Sequence, residues 1–590
     1  MIVKSEIEKY LLFAFKKCGY DESLANVTFS NKPELADFQC NSAFVIAKEQ
    51  RVNPKEVCEN ILNNLEPSEL YDVSFAQPAF INIKLTDKGF NDFANRAFND
   101  DRLTCEQNRE KKNILLDYGG ANVAKELHMG HLRSPIIGES LKRLYKFLGD
   151  SVVSDSHLGD WGLQMGLTLA QLDDDGMLDY YFGKSDVKPN ITLDMLNIAY
   201  PKASLRKKTE PDFKAKADTY TLYVQGHKEP YYSIYLEIRQ ASVEAIENNY
   251  GALNSFYDYW YGESTAEPFI ERTINIFKEK NLLRESDNAL VVDVAREGEH
   301  IPIPKKNPDD ENEEQLYENP MPPAVLKKFN GGDLYATTDL ATILMRNEMD
   351  KYDEIHYVVD KRQALHFEQV FRCAKLSGIS PDDQVLLHIG FGTMNGKDGK
   401  PFKTRDGGIL KLEDVINLIK DKANEKLNQN GITNNDELAL QIGVASMKFG
   451  DLSNQVSKDY VLDIDKFSEF NGKTGPYLQY TGARIKSLLA KAGDYTKNVS
   501  VSTKEEKEIL INLMKMLDSY FVCYKEHSLN MLCLSIYNLA ASFSTFYNNI
   551  KILSESDKTK RDNYISICAL TLKALEQGAY ILAIDIPERM

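Results

Sequence analysis

The stretch Asn113–Gly149 constrains the fold more than any other part of the chain. Residues 114–116 form a short apolar run that is typical of a buried parallel strand. Two glycines follow, and the apolar residues from Ile137 to Leu148 then recur at helical spacing, with Gly149 suited to end that helix. A strand, a glycine loop and a helix in this order predict a nucleotide-binding α/β unit, because a helix N-terminus favours bound phosphate.

The sequence His128-Met129-Gly130-His131 lies between that strand and that helix. Two imidazoles three residues apart share one helical face, and Gly130 would let a flat ligand approach the backbone. Surface histidines and metal sites show the same spacing, so the motif alone is a weak signal. Its position after a glycine loop favours a nucleotide site.

The composition limits the class of protein. A chain of 590 residues is too long for one core and predicts three or four domains. The net charge of −17 argues against indiscriminate coating of nucleic acid. The segment from residue 471 onward carries a net charge of +3, which fits a docking surface for a polyanion or merely uneven surface charge.

The eight cysteines form no CxxC pair, so we expect no protein-bound zinc. Scattered cysteines fit a reducing compartment. The sequence has neither a signal pattern at its N-terminus nor a run of about 20 apolar residues, so we expect a cytoplasmic protein without membrane contact.

Residues 1–108 predict a separate α+β module. It would contain an amphipathic first helix, a second helical region interrupted near Pro54, and one strand over Phe75–Leu85. Gln39 lies in a polar and aromatic cluster at the start of the second helix. That cluster could cap the helix or contact an exposed RNA base.

Residues 109–410 predict an α/β core with a doubly wound parallel sheet. Further strands begin near Val152, Glu354 and Val385, and polar insertions occupy about 172–217 and 297–322. Ligands of such sheets lie beyond the carboxyl ends of the strands. The loop after Val152, which holds His157, Asp160 and Trp161, should therefore form one wall of the site, although Trp161 is better explained as a core residue.

Tyr335 and Asp339 are four residues apart and face the same way in a helix. A carboxylate beside a phenol suits a guanidinium, which prefers a planar, charged acceptor. Asp339 could instead complement the dipole at a helix N-terminus.

Residues 392–408 hold five glycines and four cations after the fourth strand. Such a segment can close over a triphosphate and stabilise charge on leaving pyrophosphate, or it can be an exposed basic hairpin. Residues 411–470 predict connecting helices, and 471–590 predict an all-helical domain whose surface aromatics could stack on unpaired bases.

Together these segments resemble the class I aminoacyl-tRNA synthetases, and among them the arginyl-tRNA synthetases. The resemblance is carried by DYGGANVAKELHMGHLRS, SHLGDWGLQMG, DLYATTDLAT, VVDKRQALHFEQVF, GKDGKPFKTRDGG and NGKTGPYLQYTGARI. It implies a Rossmann-like (HUP-type) core, an N-terminal module for the tRNA elbow and a C-terminal helical bundle for the anticodon. It also implies that L-arginine is activated with ATP and Mg²⁺, and is then transferred to the 3′ adenosine of tRNA(Arg), with activation dependent on tRNA.

The resemblance also implies roles for individual residues. ATP would be bound by His128, Met129, Gly130, His131, Gly159, Lys400 and Lys403, and arginine by Asp117, Asn122, His128, Tyr335, Asp339 and Gln363. Gln39 would contact the tRNA elbow, and Tyr480 and Arg484 the anticodon region.

One segment departs from the pattern of class I synthetases. Where many of them carry KMSK, this chain has Pro401–Arg405, and the usual lysine positions are not filled. We expect Lys125 to supply the missing charge, together with Lys400, Lys403 and Arg405. His128 and His131 complete the expected catalytic set, and we expect a monomer with no dedicated metal site.

Two other functions fit parts of the sequence. The chain could be another class I synthetase, such as a glutaminyl or a cysteinyl enzyme, although the cysteine spacing disfavours the zinc that cysteinyl enzymes generally use. It could also be a catalytically silent tRNA-binding paralogue, against which the two histidines and the basic segment count.

Overall fold

The computed structural model describes residues 2–105, 110–299, 301–302, 317–318, 321–328, 335–396, 399, 410–429, 431–433 and 435–590. Lys400, Lys403, Arg405 and most of the acidic insertion lie outside these residues.

The N-terminal module packs helices against a four-stranded antiparallel sheet of order β1-β2-β4-β3. Its elements are α1 (Ile2–Cys18), β1 (Thr28–Phe29), β2 (Phe38–Cys40), α2 (Ala43–Gln50), α3 (Pro54–Asn63), β3 (Tyr71–Ala76), β4 (Phe80–Leu85) and α4 (Asp87–Asn99). The interruption of the second helical region before Pro54 is confirmed, because Asn53 caps the third helix through its side chain.

Two predictions for this module were wrong. The segment Phe75–Leu85 is not one strand, since β3 and β4 pair antiparallel as a hairpin that turns at residues 77–79. Gln39 lies within β2 rather than at a helix start, so its side chain does not cap α2. Both errors arose because strand pairing, which is not a local property of the sequence, decides these positions.

The predicted parallel sheet is present in the core. Its order is β13-β12-β5-β6, formed by β5 (Asn113–Tyr118), β6 (Ser151–Asp155), β12 (Glu354–Asp360) and β13 (Val385–Phe391). All three pairings are parallel, so the carboxyl ends of the strands meet at one edge. Helices α5 (Arg133–Phe147) and α12 (Ala364–Ser377) contact the sheet directly. Helix α11 (Tyr335–Met349) shares a buried apolar cluster with β5 and β12 of the sheet.

The remaining core segments are mostly helical. They comprise α6 (Leu163–Asp174), α7 (Leu193–Thr209), α8 (Pro211–Gln225), α9 (Tyr231–Ala252), α10 (Glu263–Glu279), β7 (Leu283–Ser286), β8 (Ala289–Val292), β9 (Ile301–Pro302), β10 (Tyr317–Glu318), β11 (Ala324–Lys328) and β14 (Met394–Asn395). The first polar insertion is therefore built of helices beside the sheet, with β11, β8 and β7 as a small separate sheet.

The rest of the chain is almost entirely helical, as predicted. Its elements are α13 (Leu412–Gln429), α14 (Asp436–Leu452), β15 (Tyr460–Val461), α15 (Ile464–Phe467), α16 (Gly475–Ala492), α17 (Lys504–Glu526), α18 (Asn530–Asn549) and α19 (Lys558–Ile581). Among the described helices, none combines the length and the apolarity that a membrane span requires.

Helix α5 packs unusually close to the central strand. A Cβ atom at Gly138 would lie 2.1 Å from Cγ of Tyr118, a buried residue of β5. No real side chain tolerates that distance, so only glycine permits this approach. The close packing sets the position of the helix that begins beside His131.

We predict that Gly138→Ala destabilises the protein by about 1–3 kcal/mol, because the added methyl group must push α5 away from the sheet. Urea unfolding measures the change. Gly251→Ala is the matched control, since it also lies in a helix but its Cβ would meet only Phe256 at 4.0 Å. Equal stability of the two variants would contradict this account of the packing.

Candidate active site

A cleft of about 580 Å³ lies where β5, β6 and β12 end. Nine residues expected at the site line it, namely Asp117, Asn122, His128, Gly130, His131, Gly159, Tyr335, Asp339 and Gln363. The sheet, the glycine loop and helix α11 thus bring together residues more than 200 positions apart in the sequence. Met129 and Lys125 are not among the lining residues.

The two signature histidines form the first turn that leads into α5. Met129–His131 is a short 3₁₀ helix, and the two imidazole rings lie 4.0 Å apart between centroids. The backbone N–H of Gly130 donates to Nδ1 of His128 at 3.0 Å, and the backbone N–H of His128 donates to Nδ1 of His131 at 3.1 Å. Both Nδ1 atoms accept, so each neutral ring carries its proton on Nε2.

The electrostatic environment keeps both histidines neutral. Burial, reinforced by the charge of Lys125, lowers the pKa of His128. Burial and the neighbouring ring of His128 lower the pKa of His131 to about 4. At neutral pH the pair therefore offers two N–H donors without adding positive charge.

Lys125 is placed beside the site rather than in it. Its ammonium lies 4.7 Å from the ring centroid of Tyr200, which belongs to α7 of the first insertion. Met129, the neighbour of His128, is buried with 4% of its surface exposed. Lys125 therefore affects the site through the electrostatic effect of its charge, which helps to lower the pKa of His128. Its ammonium itself makes a cation–π contact with Tyr200.

Helix α11 brings a phenol and a carboxylate to the cleft. Tyr335 and Asp339 lie one turn apart on α11, as the spacing predicted, and Tyr335 is largely exposed. Nε2 of His366 lies 2.5 Å from Oδ2 of Asp339. Gln363 follows β12 in a short 3₁₀ helix and lines the same cleft.

Asp117 and Asn122 also line the cleft. Asp117 lies one residue before the end of strand β5 and accepts a hydrogen bond from the buried guanidinium of Arg346 at 2.6 Å. Burial raises the pKa of Asp117 despite that positive charge. Asn122 pairs with Gly159 in a parallel bridge, and a Cβ at Gly159 would lie 2.3 Å from Oδ1 of Asn122. Gly159 is thus required for the close approach of the two loops.

Sequence reasoning missed Glu263. This residue begins α10, far in sequence from every motif, yet it lines the cleft with Asp339. Burial raises the pKa of Glu263 to about 7, and the nearby carboxylates of Asp160 and Asp339 contribute in the same direction. No local pattern could identify it, because its environment is built from β6, α10 and α11.

The predicted wall after β6 is only partly present. His157 lines the cleft, but Asp160 is fully buried and forms an ion pair with Arg239 at 2.7 Å. The ring of Trp161 packs against Tyr235, with the two centroids 5.4 Å apart. Asp160 and Trp161 are therefore structural residues that hold the loop bearing Gly159.

The three residues predicted to contact tRNA lie outside this cleft. Nε2 of Gln39 donates to Oδ1 of Asn82 at 2.9 Å on the sheet of the N-terminal module. Tyr480 and Arg484 line a cleft of about 660 Å³ in the C-terminal domain, which also holds Lys491, Lys551 and Arg589. The guanidinium of Arg484 lies over the rings of Tyr480 and Tyr547, at 4.5 Å and 5.1 Å from their centroids.

Three family models match the chain. Residues 94–464 match the catalytic domain of class I tRNA synthetases (R), 478–590 match the DALR anticodon-binding domain, and 2–85 match the N-terminal domain of arginyl-tRNA synthetases. The chain belongs to the arginyl-tRNA synthetase family. It is therefore a class I aminoacyl-tRNA synthetase with arginine–tRNA ligase activity, as the sequence predicted, and it uses ATP.

Relatives in this family align over the whole chain. The arginine–tRNA ligase of Alkaliphilus oremlandii is 40% identical over 99% of both chains, and that of Francisella tularensis subsp. novicida is 35% identical over 100% of both. The fold is shared with the arginyl-tRNA synthetase of Plasmodium falciparum, with a TM-score of 0.80 at 23% identity over 100% of this chain and 99% of that one. The Thermus thermophilus enzyme gives a TM-score of 0.77 at 20% identity over 100% of both chains.

We predict that the NMR signals of His131 do not titrate between pH 5.5 and pH 8, because burial holds its pKa near 4. In Lys125→Ala the pKa of His128 should rise, since a nearby positive charge is removed. Lys146→Ala, at the far end of α5, is the control and should leave both signals unchanged. A His131 midpoint above pH 6 would contradict the neutral pair.

Proposed function

We propose that this single cleft binds L-arginine and ATP side by side and joins them. The observation that carries the proposal is the mixed lining of this cleft, which holds the two neutral imidazole donors of His128 and His131 together with the carboxyl groups of Asp339 and Glu263. ATP is an anion and the arginine side chain is a cation, so we expect ATP beside the imidazoles and the guanidinium beside the carboxyl groups.

The carboxyl groups of Asp339 and Glu263 would hold the guanidinium of arginine. A guanidinium has five N–H donors in one plane and pairs best with carboxylates that accept two of them. Asp339 and Glu263 would supply the charge, while Tyr335 and Gln363 would contribute neutral contacts. His366, which contacts Asp339, would fix the orientation of that carboxylate. In this proposal Asp339 binds the substrate, and does not merely compensate the dipole of its helix.

The α-amino group would bind to Asp117 and Asn122, which line the cleft. His128 would contact this part of arginine as well as ATP. The carboxylate of arginine then faces the α-phosphate, and one of its oxygens attacks phosphorus while the bond to pyrophosphate breaks. Arginyl-adenylate and pyrophosphate are the products of this step.

The phosphates would lie against the signature loop. Nε2–H groups of His128 and His131 would donate to phosphate oxygens, and Gly130 and Gly159 would let adenosine approach the backbone. The charge on pyrophosphate would be stabilised by Lys125, Lys400, Lys403 and Arg405. For this contact, the ammonium of Lys125 would have to move away from the ring of Tyr200. In the described part of the chain no group of three or more His, Cys, Asp or Glu could hold a metal ion, so Mg²⁺ would arrive bound to ATP.

The second step would transfer arginine to tRNA. A hydroxyl of the 3′ adenosine attacks the carbonyl carbon of the adenylate and AMP leaves. The cleft of Tyr480 and Arg484 would bind the anticodon, because stacked aromatic and guanidinium planes with flanking cations suit unpaired bases. Gln39 would contact the tRNA elbow, and activation of arginine would require bound tRNA.

This division of labour corresponds to four segments of the chain. They are the elbow-binding module 1–108, the catalytic domain 109–410, the connecting helices 411–470 and the anticodon-binding domain 471–590. We propose that the enzyme acts as a monomer in the cytoplasm.

Pyrophosphate exchange with each of the twenty amino acids, with and without tRNA(Arg), tests the proposal. Exchange should occur with arginine alone and only when tRNA is present. Exchange with a different amino acid would contradict the guanidinium pocket, and exchange without tRNA would contradict the requirement for tRNA.

We predict that Asp339→Asn weakens arginine binding by about 2 kcal/mol, or about thirtyfold, because the guanidinium loses a charged acceptor. Calorimetric titration with arginine and with ATP measures the effect, and ATP affinity should not change. Asp360→Asn is the matched control, since Asp360 lines the same cleft but is paired with Arg362 at 2.6 Å. Unchanged arginine affinity in Asp339→Asn would rule out the assigned pocket.

We also predict that arginine binds about ten times more weakly at pH 6 than at pH 8. Glu263 has a pKa of about 7, so it is mostly neutral at pH 6 and must lose a proton to pair with the guanidinium. Binding at pH 7 should therefore release protons to the buffer, which calorimetry in buffers of different ionisation enthalpy detects. Glu263→Gln should bind weakly at both pH values; a wild-type pH dependence in that variant would assign the titration to another group.

A further inference from the structure

Two carboxylates stand side by side at the edge of the sheet. Asp117 of β5 and Asp155 of β6 are partners in the parallel register, and both are buried. Adjacent buried carboxylates repel each other, and a cation that binds both of them offsets this repulsion. Helix α11 supplies that cation, since Nη2 of Arg346 donates to Oδ2 of Asp117 at 2.6 Å and to Oδ2 of Asp155 at 2.7 Å.

Arg346 lies beneath the cleft and not in it. Its side chain is 1% exposed, and the residue is not part of the cleft lining. Its neighbours Asp117 and Tyr357 do line the cleft. Tyr357 is the partner of Asp117 in the register with β12, and the centroid of its ring lies 5.5 Å from the guanidinium carbon of Arg346. Arg346 can therefore influence the substrate only through the residues that it holds.

A second chain of contacts joins the same groups. Nδ1 of His157 lies 3.5 Å from Oδ2 of Asp155, and its Nε2 lies 3.4 Å from Oγ1 of Thr342. His157 and Thr342 both line the cleft. The floor of the cleft is thus tied to α11 at two places, through Arg346 and through Thr342.

The residues on α11 share one face. Tyr335, Asp339, Thr342 and Arg346 follow each other at intervals of four, three and four residues, which is the spacing of a continuous helical stripe. Asp339 and Arg346 are separated by about 10 Å along the helix axis at 1.5 Å per residue. One rigid element therefore carries the acceptor for the guanidinium and the cation that holds the carboxylate assigned to the α-amino group.

We propose that Arg346 is a positioning residue that sets the length of amino acid the site accepts. By binding Oδ2 of Asp117, Arg346 turns the other oxygen of that carboxylate towards the α-amino group of the substrate. Because α11 carries both Arg346 and Asp339, it fixes the distance between that oxygen and Asp339. The inference rests on the proposed function, because it requires that Asp117 receives the α-amino group.

Binding of three ligands to purified enzyme tests this role. L-Arginine engages both ends of the site, n-butylguanidine engages only the guanidinium end, and L-homoarginine is one methylene longer than arginine. In Arg346→Met, arginine should bind at least ten times more weakly, n-butylguanidine should bind within twofold of the wild type, and the preference for arginine over homoarginine should fall. Arg346→Lys keeps the charge and should lie between the wild type and Arg346→Met.

Glu348→Gln is the matched control on the same helix. Glu348 is paired with Arg272 on the exposed side of α11, so all three affinities should stay unchanged. If Arg346→Met does not fold, the double variant Arg346→Met/Asp155→Asn removes the repulsion between the carboxylates, and the same pattern of affinities is expected from it.

Two results would overturn the inference. Equal weakening of arginine and n-butylguanidine would show that Arg346 only supports the fold, and unchanged arginine binding would show that it has no positioning role. Asp117→Asn separates the inference from its premise. If that variant binds arginine normally, the assignment of the α-amino group fails; if it binds weakly while Arg346→Met binds normally, only the role of Arg346 fails.

Discussion

The parallel register between β5 and β6 creates the constraint on which the active site depends. It places Asp117 beside Asp155 at the edge where the cleft forms, and both carboxylates are taken out of water. Buried charges of one sign are costly, and the guanidinium of Arg346 offsets that cost by bridging them. The same ion pairs join the floor of the cleft to α11, the helix that also carries Asp339.

Another part of the cleft lining consists of uncharged donors. His128 and His131 are held by backbone N–H donors and stay neutral because burial disfavours their charged forms. Neutral donors can bind phosphate without repelling the positive charge of Lys125 or of the incoming arginine.

Helix α5 connects the cleft with the C-terminal domain. It begins just after His131, and its later turns contact the C-terminal domain, where Arg143 donates to the carbonyl of Tyr580 at 3.2 Å and Tyr145 contacts His527 at 2.6 Å. The N-terminal module meets the same domain through Asn95, which exchanges two hydrogen bonds with the backbone of Val499. These contacts join both terminal domains, directly or through each other, to the helix that begins just after His131.

The sequence by itself determined the family, the order of the domains, the strand and helix around His128 and the pairing of Tyr335 with Asp339 on one helical face. These features follow from local periodicity and from motifs whose spacing is fixed by the backbone. Only the tertiary structure decided that Glu263 joins Asp339, that Arg346 bridges Asp117 and Asp155, and that Gln39 lies in a strand. The physical reason is that burial and the proximity of charges arise from chain segments distant in sequence, and no local pattern encodes them.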